Sequence, residues 1–311
     1  MRGNKAMRKP IQRMAVIFLA PALIFYLWMF IYPSLKAFYI SLFDWNGFTS
    51  GMNFVGLKNF KELIGDSSFW NVAVKNSLLI TFAGGAIIFS ISFLLSAILS
   101  GKIRGKKFFR ALIFFPSVIN PIAIAILWTF IYNNKWGLLN NFLALFGITG
   151  KTWMDPSTLF WAILAAMVWM YTGFYCVILL AALDRVPESH IEAATLEGAS
   201  EFTIFFKIKI PMIWDVLVTA LTLWGINSVK EFALLYAWGG GVDIPPDGAT
   251  NIAVRMYITA FGKRVTVYRM GYSTAMGVLM FLAVAIIVMV ISVVMKREKL
   301  EYQLPDRKSV V

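Results

Sequence analysis

Few side chains of this sequence are of types that carry out chemistry, and their surroundings limit what that chemistry is. The chain has one cysteine, Cys176, and one histidine, His190, which excludes disulfide frameworks and metal sites built from several Cys and His ligands. Cys176 lies in an apolar run and is predicted to be a packed small residue. His190 has no companion for a nucleophile and base pair, so catalysis in this chain is not expected.

Two polar interruptions of apolar sequence remain. The first reads Glu192-Ala193-Ala194-Thr195-Leu196-Glu197-Gly198-Ala199 and is followed by Ile208-Lys209-Ile210-Pro211. The second is Asn227-Ser228 with Lys230-Glu231, inside an otherwise apolar run. What these residues do depends on the elements that hold them.

Those elements are predicted to be membrane helices. The 311 residues are 59% hydrophobic and only 14% charged, whereas a soluble domain has about 25% charged residues. Crossing a bilayer takes roughly 20 apolar residues. We therefore predict an all-α integral membrane protein whose transmembrane domain, 14–295, has six helices at about 14–43, 72–100, 109–133, 157–183, 211–238 and 270–295.

The basic residues predict the orientation of these helices. Eighteen Lys and Arg residues flank one set of helix ends and nine flank the other, and the richer side is cytoplasmic. Both termini, 1–13 and 296–311, and the loop 184–210 are then cytoplasmic. The net charge of +13 is spread over helix ends instead of forming one stripe, so nucleic acid is not an expected partner. The first apolar run is too long for a signal peptide and is expected to be retained.

The cytoplasmic loop 184–210 is predicted to contain two short helices. Pro187 and Glu188 suit the start of a helix. Gly198 suits its end, and Ser200 suits the start of the next. The alternative is an amphipathic hairpin that lies on the lipid headgroups.

Acidic residues decide between these alternatives. Glu192, Glu197 and Glu201 fall within ten residues and would be repelled by an anionic membrane surface. A protein partner on the inner face is therefore favoured.

Two other segments carry structural predictions. Pro116 and Pro121 cannot both lie in one regular helix, so the third span is predicted to be bent and to face other helices or a cavity. After the first span, the stretch 54–60 predicts a turn and a short amphipathic helix to about Gly65. That helix would lie at the membrane interface or contact an external partner.

With these residues assembled, the chain resembles the permease subunits of binding-protein-dependent ABC importers. Their cytoplasmic signature is E-A-A, an acidic residue with G shortly after, and I-x-L-P. Here Glu197 replaces the more usual Asp, and Ile210 the more usual Leu. The position between the fourth and fifth spans agrees with the family.

Further similarities, over about residues 15–300, point to the carbohydrate-uptake branch, in particular the larger permease of the maltose system. They are found at Phe54–Phe60, Arg110–Pro116, Gly239–Gly241, Tyr257–Phe261 and Met270–Tyr272. The chain departs from that pattern at Val242, where Pro is usual, and at 244–247, which looks inserted.

The resemblance implies a mechanism and a set of partners. A coupling-helix pair between the fourth and fifth spans would dock in a cleft of a separate ABC ATPase dimer through Glu192, Ala193, Ala194, Glu197, Gly198 and Ala199. This chain lacks a G-x-x-x-x-G-K-[ST] loop, so it would hold no cofactor, and ATP and Mg would bind to the ATPase. The other expected partners are a second homologous permease, an extracellular solute-binding protein and membrane lipid, in the inner (plasma) membrane of a bacterium.

The resemblance also places the sugar path along the fifth span, at Asn227, Ser228, Lys230, Glu231 and Tyr236. Counted from Pro211, the first four lie roughly 24–30 Å along a helix, in the outer half of the membrane. As residues i and i+4, Asn227 and Glu231 would share one face. Tyr236 and Trp224 would stack on sugar rings, and Lys230 suggests an acidic saccharide. The alternative is a Lys230–Glu231 pair that bonds to other helices without contacting substrate.

Two other functions stay open at this point. One is an ABC permease for a non-sugar solute. The other is a secondary transporter, although no convincing internal repeat is present and Glu231 is the only acid deep in a predicted span.

Overall fold

The computed structural model describes residues 8–101, 103–240, 245–262 and 268–296, with the backbone alone at 8–13 and 15. Three positions used in the comparison with the family pattern lie outside the described residues. They are Gly241, which agrees with the pattern, and Val242 and Ile244, which depart from it. Residues 1–7 and 297–311 of the predicted cytoplasmic termini also lie outside the described residues.

The described chain is mostly helical. A two-stranded antiparallel sheet pairs β1 (Phe43–Asp44) with β2 (Asn53–Phe54). The α-helices are α1 Arg8–Tyr26, α2 Tyr32–Ile40, α3 Lys58–Gly65, α4 Lys75–Leu79, α5 Gly85–Ser100, α6 Lys106–Val118, α7 Pro121–Ile131, α8 Leu138–Ala144, α9 Leu159–Leu183, α10 Glu188–Leu196, α11 Glu201–Ile204, α12 Ile210–Met212, α13 Trp214–Val229, α14 Ala233–Trp238, α15 Ile252–Phe261 and α16 Met270–Val294. Wider π-helical turns at Leu27–Ile31, Phe69–Val74, Ile80–Gly84 and Phe205–Lys209 continue several of them.

Four continuous helices in the described residues are long and apolar enough to cross a membrane. They are Val16–Ile40, Phe69–Ser100, Leu159–Leu183 and Met270–Val294. A fifth candidate is the pair α6 and α7, which passes the same test when taken as one interrupted span. Its interruption was expected from the prolines. Ile119 and Asn120 are extended, Pro121 begins α7, and the Asn120 side chain caps α7 by accepting from the Ile122 amide at 2.8 Å.

The predicted helix 211–238 is not continuous. Helix α13 ends at Val229, residues Lys230–Phe232 leave the helix, and α14 runs only from Ala233 to Trp238. Asn227 and Glu231 therefore do not share a helical face, which corrects the expectation from their spacing. The interruption lies at Lys230 and Glu231, two of the three charged residues of 211–238; the third, Asp215, is near the start of the run.

By its internal contacts the chain divides into two compact units. The first comprises Met1–Leu79, Asn120–Ile163 and Lys230–Leu282, and the second Ile80–Ile119, Leu164–Val229 and Ala283–Val311. In the first, a core of Leu63, Phe69, Ala73, Ile252, Tyr272, Ala275 and Met276 packs α3 against residues of α15 and α16.

Helices of the second unit approach each other closely. A Cβ on Gly173 of α9 would lie 2.0 Å from the carbonyl oxygen of Ile113 in α6. Ser117 donates to the Met170 carbonyl at 2.7 Å, and Ser92 to the Thr172 carbonyl at 3.0 Å. Small and hydroxyl residues are the usual means of joining helices in a membrane. Cys176 is buried beside Leu99 and Leu180, as predicted for a packed small residue.

The short amphipathic helix predicted after the first span is present as α3. Its Leu63 is buried and its Ile64 is exposed. The Asn59 amide donates to the carbonyls of Ser41 and Phe43 at 2.9 Å each, which ties α3 to the end of the first span.

Candidate functional site

The acidic, alanine-rich signature lies on α10 and the turn that ends it. Pro187 precedes the helix in an extended conformation, and Gly198 has a φ of +82°. The Gly198 amide donates to the Thr195 carbonyl, and the Ala199 amide to the Ala194 carbonyl, both at 3.0 Å. These two bonds form a Schellman motif, in which a left-handed residue closes a helix and glycine is preferred.

A second short helix follows at once. The Ser200 hydroxyl accepts from the Thr203 amide at 3.2 Å and caps α11. Ile204 is buried and anchors this helix within its unit. The local capping chemistry expected from Pro187, Gly198 and Ser200 is therefore present in the structure.

The outer surface of this segment is exposed and partly apolar. Glu192, Ala193, Glu197 and Gly198 are exposed, and Ala194 and Ala199 are half-buried. Leu196 is 90% exposed and Phe202 73%. Exposed large apolar side chains beside carboxylates are typical of a surface that another protein covers.

Ser228 is directed into the protein within the second unit. Its side chain is 1% exposed, and its hydroxyl lies 2.9 Å from the Thr81 hydroxyl. Trp224, expected to stack on a sugar, is also buried, and its indole N–H donates to the Thr81 carbonyl at 2.8 Å. Asn227, between them in sequence, is exposed. Of these three side chains, the structure leaves Asn227 accessible.

In the first unit, Lys230 is exposed and Glu231 is 8% exposed. A Glu231 carboxylate oxygen accepts from the Leu234 amide at 3.4 Å, at the start of α14. The Glu231 carbonyl accepts from the side-chain amide of Asn251. Glu231 is therefore buried and hydrogen-bonded at the interruption of the fifth span, and its expected contact with sugar hydroxyls stays a prediction.

Tyr236 belongs to an aromatic cluster of the same unit. Its ring stacks on Phe232 with centroids 5.0 Å apart and meets Tyr257 edge to face at 5.1 Å. All three side chains are half-buried or exposed. Such a cluster offers aromatic faces and hydroxyl groups at an accessible surface.

Two further features of the first unit could not be assigned from sequence. Arg269 forms a two-bonded ion pair with Glu62 on α3, and its guanidinium lies 4.3 Å from the centre of the Tyr272 ring. The hydrogen bond from Arg269 lowers the pKa of Glu62. The second feature is Asn251, whose polar type was the only sequence signal of its contact with Glu231.

Comparisons with known proteins agree on one family. The profile of the family described as "Binding-protein-dependent transport system inner membrane component" matches residues 94–297. A probable ABC transporter permease protein of Bacillus subtilis is 32% identical over 268 residues, which cover 84% of this chain and 88% of that protein. The trehalose/maltose transport system permease protein of Thermococcus litoralis is 32% identical over 241 residues, which cover 77% and 80%.

A solved structure shares the fold. It is a chain of a bacterial alginate ABC transporter, determined in complex with a periplasmic protein that holds an alginate pentasaccharide. The two chains superpose with a TM-score of 0.74 over 93% of this chain and 96% of that one, at 18% sequence identity.

Proposed function

Because this chain belongs to the family of inner membrane components of binding-protein-dependent transport systems, we propose that it is the membrane-spanning subunit of an ABC importer for a sugar or oligosaccharide. An extracellular binding protein would deliver the solute, and a separate ATPase would drive its passage. The trehalose/maltose relative and the sequence motifs of the carbohydrate branch support the solute class.

The observation that carries this proposal is the exposed surface of α10 and its Gly198 turn. We propose that Glu192, Ala193, Ala194, Glu197, Gly198 and Ala199 dock in the ATPase, with exposed Leu196 entering its cleft. The Schellman motif fixes the direction in which the chain leaves α10, and the Ser200 cap starts α11 immediately. Because the end of α10 and the start of α11 are both capped, we propose that this segment moves as a rigid unit when the ATPase closes.

The membrane arrangement we propose has six spans in a transmembrane domain 14–295. The pair α6 and α7 is one interrupted span, and α13 with α14 is another, within the predicted 211–238. Both termini, 1–13 and 296–311, and the coupling loop 184–210 would be cytoplasmic. The excess of basic residues on those ends supports this orientation.

We propose that three other proteins complete the transporter. ATP and Mg would bind to an ABC ATPase dimer, since this sequence has no phosphate-binding loop. A second homologous permease would supply the other wall of the path. The third partner is the extracellular binding protein, and the alginate complex supports that kind of assembly for this fold.

Within the substrate path, the proposed roles now differ between residues. Asn227, Lys230 and Tyr236 are accessible and are proposed to contact the solute. Ser228 and Glu231 are proposed to line the path indirectly, because their polar atoms bond to Thr81, Leu234 and Asn251. Exposure of Lys230 keeps the hypothesis of an acidic saccharide open to test.

The test is uptake by the full complex in proteoliposomes. The chain is purified with its associated ATPase, second permease and binding protein, and radiolabelled maltose, trehalose, alginate pentasaccharide and glycerol 3-phosphate are offered outside. Uptake of at least one saccharide that requires both ATP and the binding protein is expected. Uptake of glycerol 3-phosphate alone, or uptake that persists without ATP, would contradict the proposal.

A further inference from the structure

A loop segment of the first unit is buried where loops usually are not. Gly248 to Val254, from a 3₁₀ turn at Asp247–Ala249 into the start of α15, is buried at every residue. Connecting segments normally run over the surface, because buried backbone amides and carbonyls need partners. The structure shows what supplies those partners.

Residues of the second span hold one side of this segment. The Asn76 side-chain amide donates to the carbonyls of Asp247 and Thr250, at 2.8 Å each. The Ser77 hydroxyl accepts from the Ile252 amide at 3.1 Å and donates to its own helix at Ala73. The loop is therefore fastened through its main chain, and the fastening does not depend on most of its side chains.

Asn251 holds the other side and is 0% exposed. Its carbonyl oxygen accepts from the Val254 amide at 2.9 Å and so caps α15. Its amide nitrogen donates to the backbone carbonyl of Glu231, in the interruption of the fifth span. The Asn251 side chain thus forms hydrogen bonds both at the start of α15 and at the break at Lys230–Phe232.

We infer that Asn251 is a positioning residue of the transport path, which with Asn76 keeps the fifth span broken and Lys230 accessible. The inference rests on the proposed function only in calling Lys230 part of a path. Where a helix is interrupted at membrane depth, its freed carbonyls need protein or water partners, and each unpaired group costs several kcal/mol. Asn251 supplies such a partner to Glu231.

Removing that partner favours a different backbone. The apolar pattern of 211–238 is compatible with one continuous helix, in which each carbonyl finds an amide four residues later. Without the donor from Asn251, the free energy of the continuous helix falls relative to that of the interrupted backbone. The segment then has two discrete states, and Asn251 selects between them.

Asn251→Ser separates the two roles of the side chain. Serine is as good an N-cap as asparagine, so α15 stays capped, but its hydroxyl is too short to reach the Glu231 carbonyl. The matched control is Asn120→Ser. Asn120 also caps a helix of the same unit, by accepting from the Ile122 amide, and its side chain is exposed.

The readout is the rate at which a cysteine at position 230 reacts with a charged, membrane-impermeant thiol reagent. The full chain carries Lys230→Cys on a Cys176→Ala background and is labelled in its native membrane. We expect Asn251→Ser to lower this rate about fivefold, the factor that corresponds to one net hydrogen bond of about 1 kcal/mol. Asn120→Ser should leave it within about twofold, by the same scale.

A second reporter distinguishes positioning from general loosening. Leu145→Cys lies in a strongly exposed external position, and its labelling rate should not change in Asn251→Ser. An unchanged or increased rate at position 230 overturns the inference, and so does an equal change at position 145.

If Asn251→Ser does not accumulate, Asn251→Asp is measured instead, since it keeps the cap and size and loses the donor. Labelling needs neither solute nor ATPase, so failure here is distinct from failure of the proposed function in the uptake assay.

Discussion

The hydroxyl of Ser228 lies 2.9 Å from the hydroxyl of Thr81, and both side chains are buried in the second unit. Ser228 also reaches the Gly225 carbonyl of its own helix at 3.3 Å. A pair of this kind joins the second and fifth predicted spans from inside. It places the Ser228 hydroxyl in a buried contact between helices, whereas its type and position predicted a contact with the solute.

Ser228→Ala should therefore reduce stability and leave solute recognition unchanged. Interhelical hydrogen bonds in membrane proteins contribute about 0.6 kcal/mol on average, so a loss of about that size is expected in thermal unfolding. The Michaelis constant for uptake should stay the same. Ser292→Ala is the control, because that hydroxyl is exposed and, within the residues that the structure describes, its hydrogen bond goes to Val288 of its own helix. A raised Michaelis constant with unchanged unfolding would show that Ser228 contacts the solute.

Gly173→Ala should be strongly destabilising. A Cβ there would fall 2.0 Å from the Ile113 carbonyl oxygen, and backbone cannot move aside as a flexible side chain can. We expect a loss of about 3 kcal/mol, at the upper end for overpacked cores, measured by thermal unfolding of the purified chain. Gly51→Ala, where a Cβ meets nothing within 4 Å, is the control. Equal midpoints for the two variants would contradict the close approach of α6 and α9.

The features that the sequence predicted best are those that depend on residues close together in the chain. The ends of α10 and α11 follow from Pro187, Gly198 and Ser200, because capping involves residues only a few positions apart. The interruption of the fifth span was not predicted, because it depends on Asn251, twenty residues away in sequence. The inward orientation of Ser228 depends on Thr81 in another helix. Hydropathy shows that such residues lie in spans and does not show which helix they face.

The contribution of the Glu62–Arg269 ion pair to the free energy of unfolding should depend on pH. The hydrogen bond from Arg269 holds the pKa of Glu62 below its ordinary value of 4.5. A carboxyl whose pKa is lowered by folding stabilises the protein above its unfolded pKa, and this is lost as pH falls through the folded pKa. Because both groups are about 40% exposed, solvent screening limits the effect to about 0.5 kcal/mol.

Glu62→Gln is the variant that reveals this contribution. It should lower the thermal midpoint slightly at pH 6.5, and the difference from wild type should shrink as the pH falls toward 3.5, because the contribution of the ion pair is lost as the pH falls through the folded-state pKa of Glu62. A difference between Glu62→Gln and wild type that grows toward pH 3.5 would refute the assignment.

Lys230 should affect the choice between charged and neutral saccharides. In the proposed path, the exposed Lys230 ammonium would attract a carboxylate of the solute, and a charge-assisted hydrogen bond contributes about 1.5–3 kcal/mol. Lys230→Gln should therefore lower uptake of a uronate oligosaccharide about tenfold relative to a neutral one. The comparison uses alginate pentasaccharide and a neutral pentasaccharide in the same proteoliposomes. Equal ratios in wild type and variant would remove Lys230 from solute selection.

We propose that α10 and its Gly198 turn couple this chain to an ATPase, and a matched pair of glycine variants tests that role. Gly198 and Gly147 both have a left-handed backbone and open space around a Cβ, so alanine strains each by about 1 kcal/mol. Gly147 lies in the loop between α8 and α9, far in sequence from the α10 signature. The measurement is ATP hydrolysis by the reconstituted complex with and without the loaded binding protein. Gly198→Ala should abolish most of the stimulation by the loaded binding protein, while Gly147→Ala should keep it. Equal stimulation in both variants would contradict the coupling role of α10.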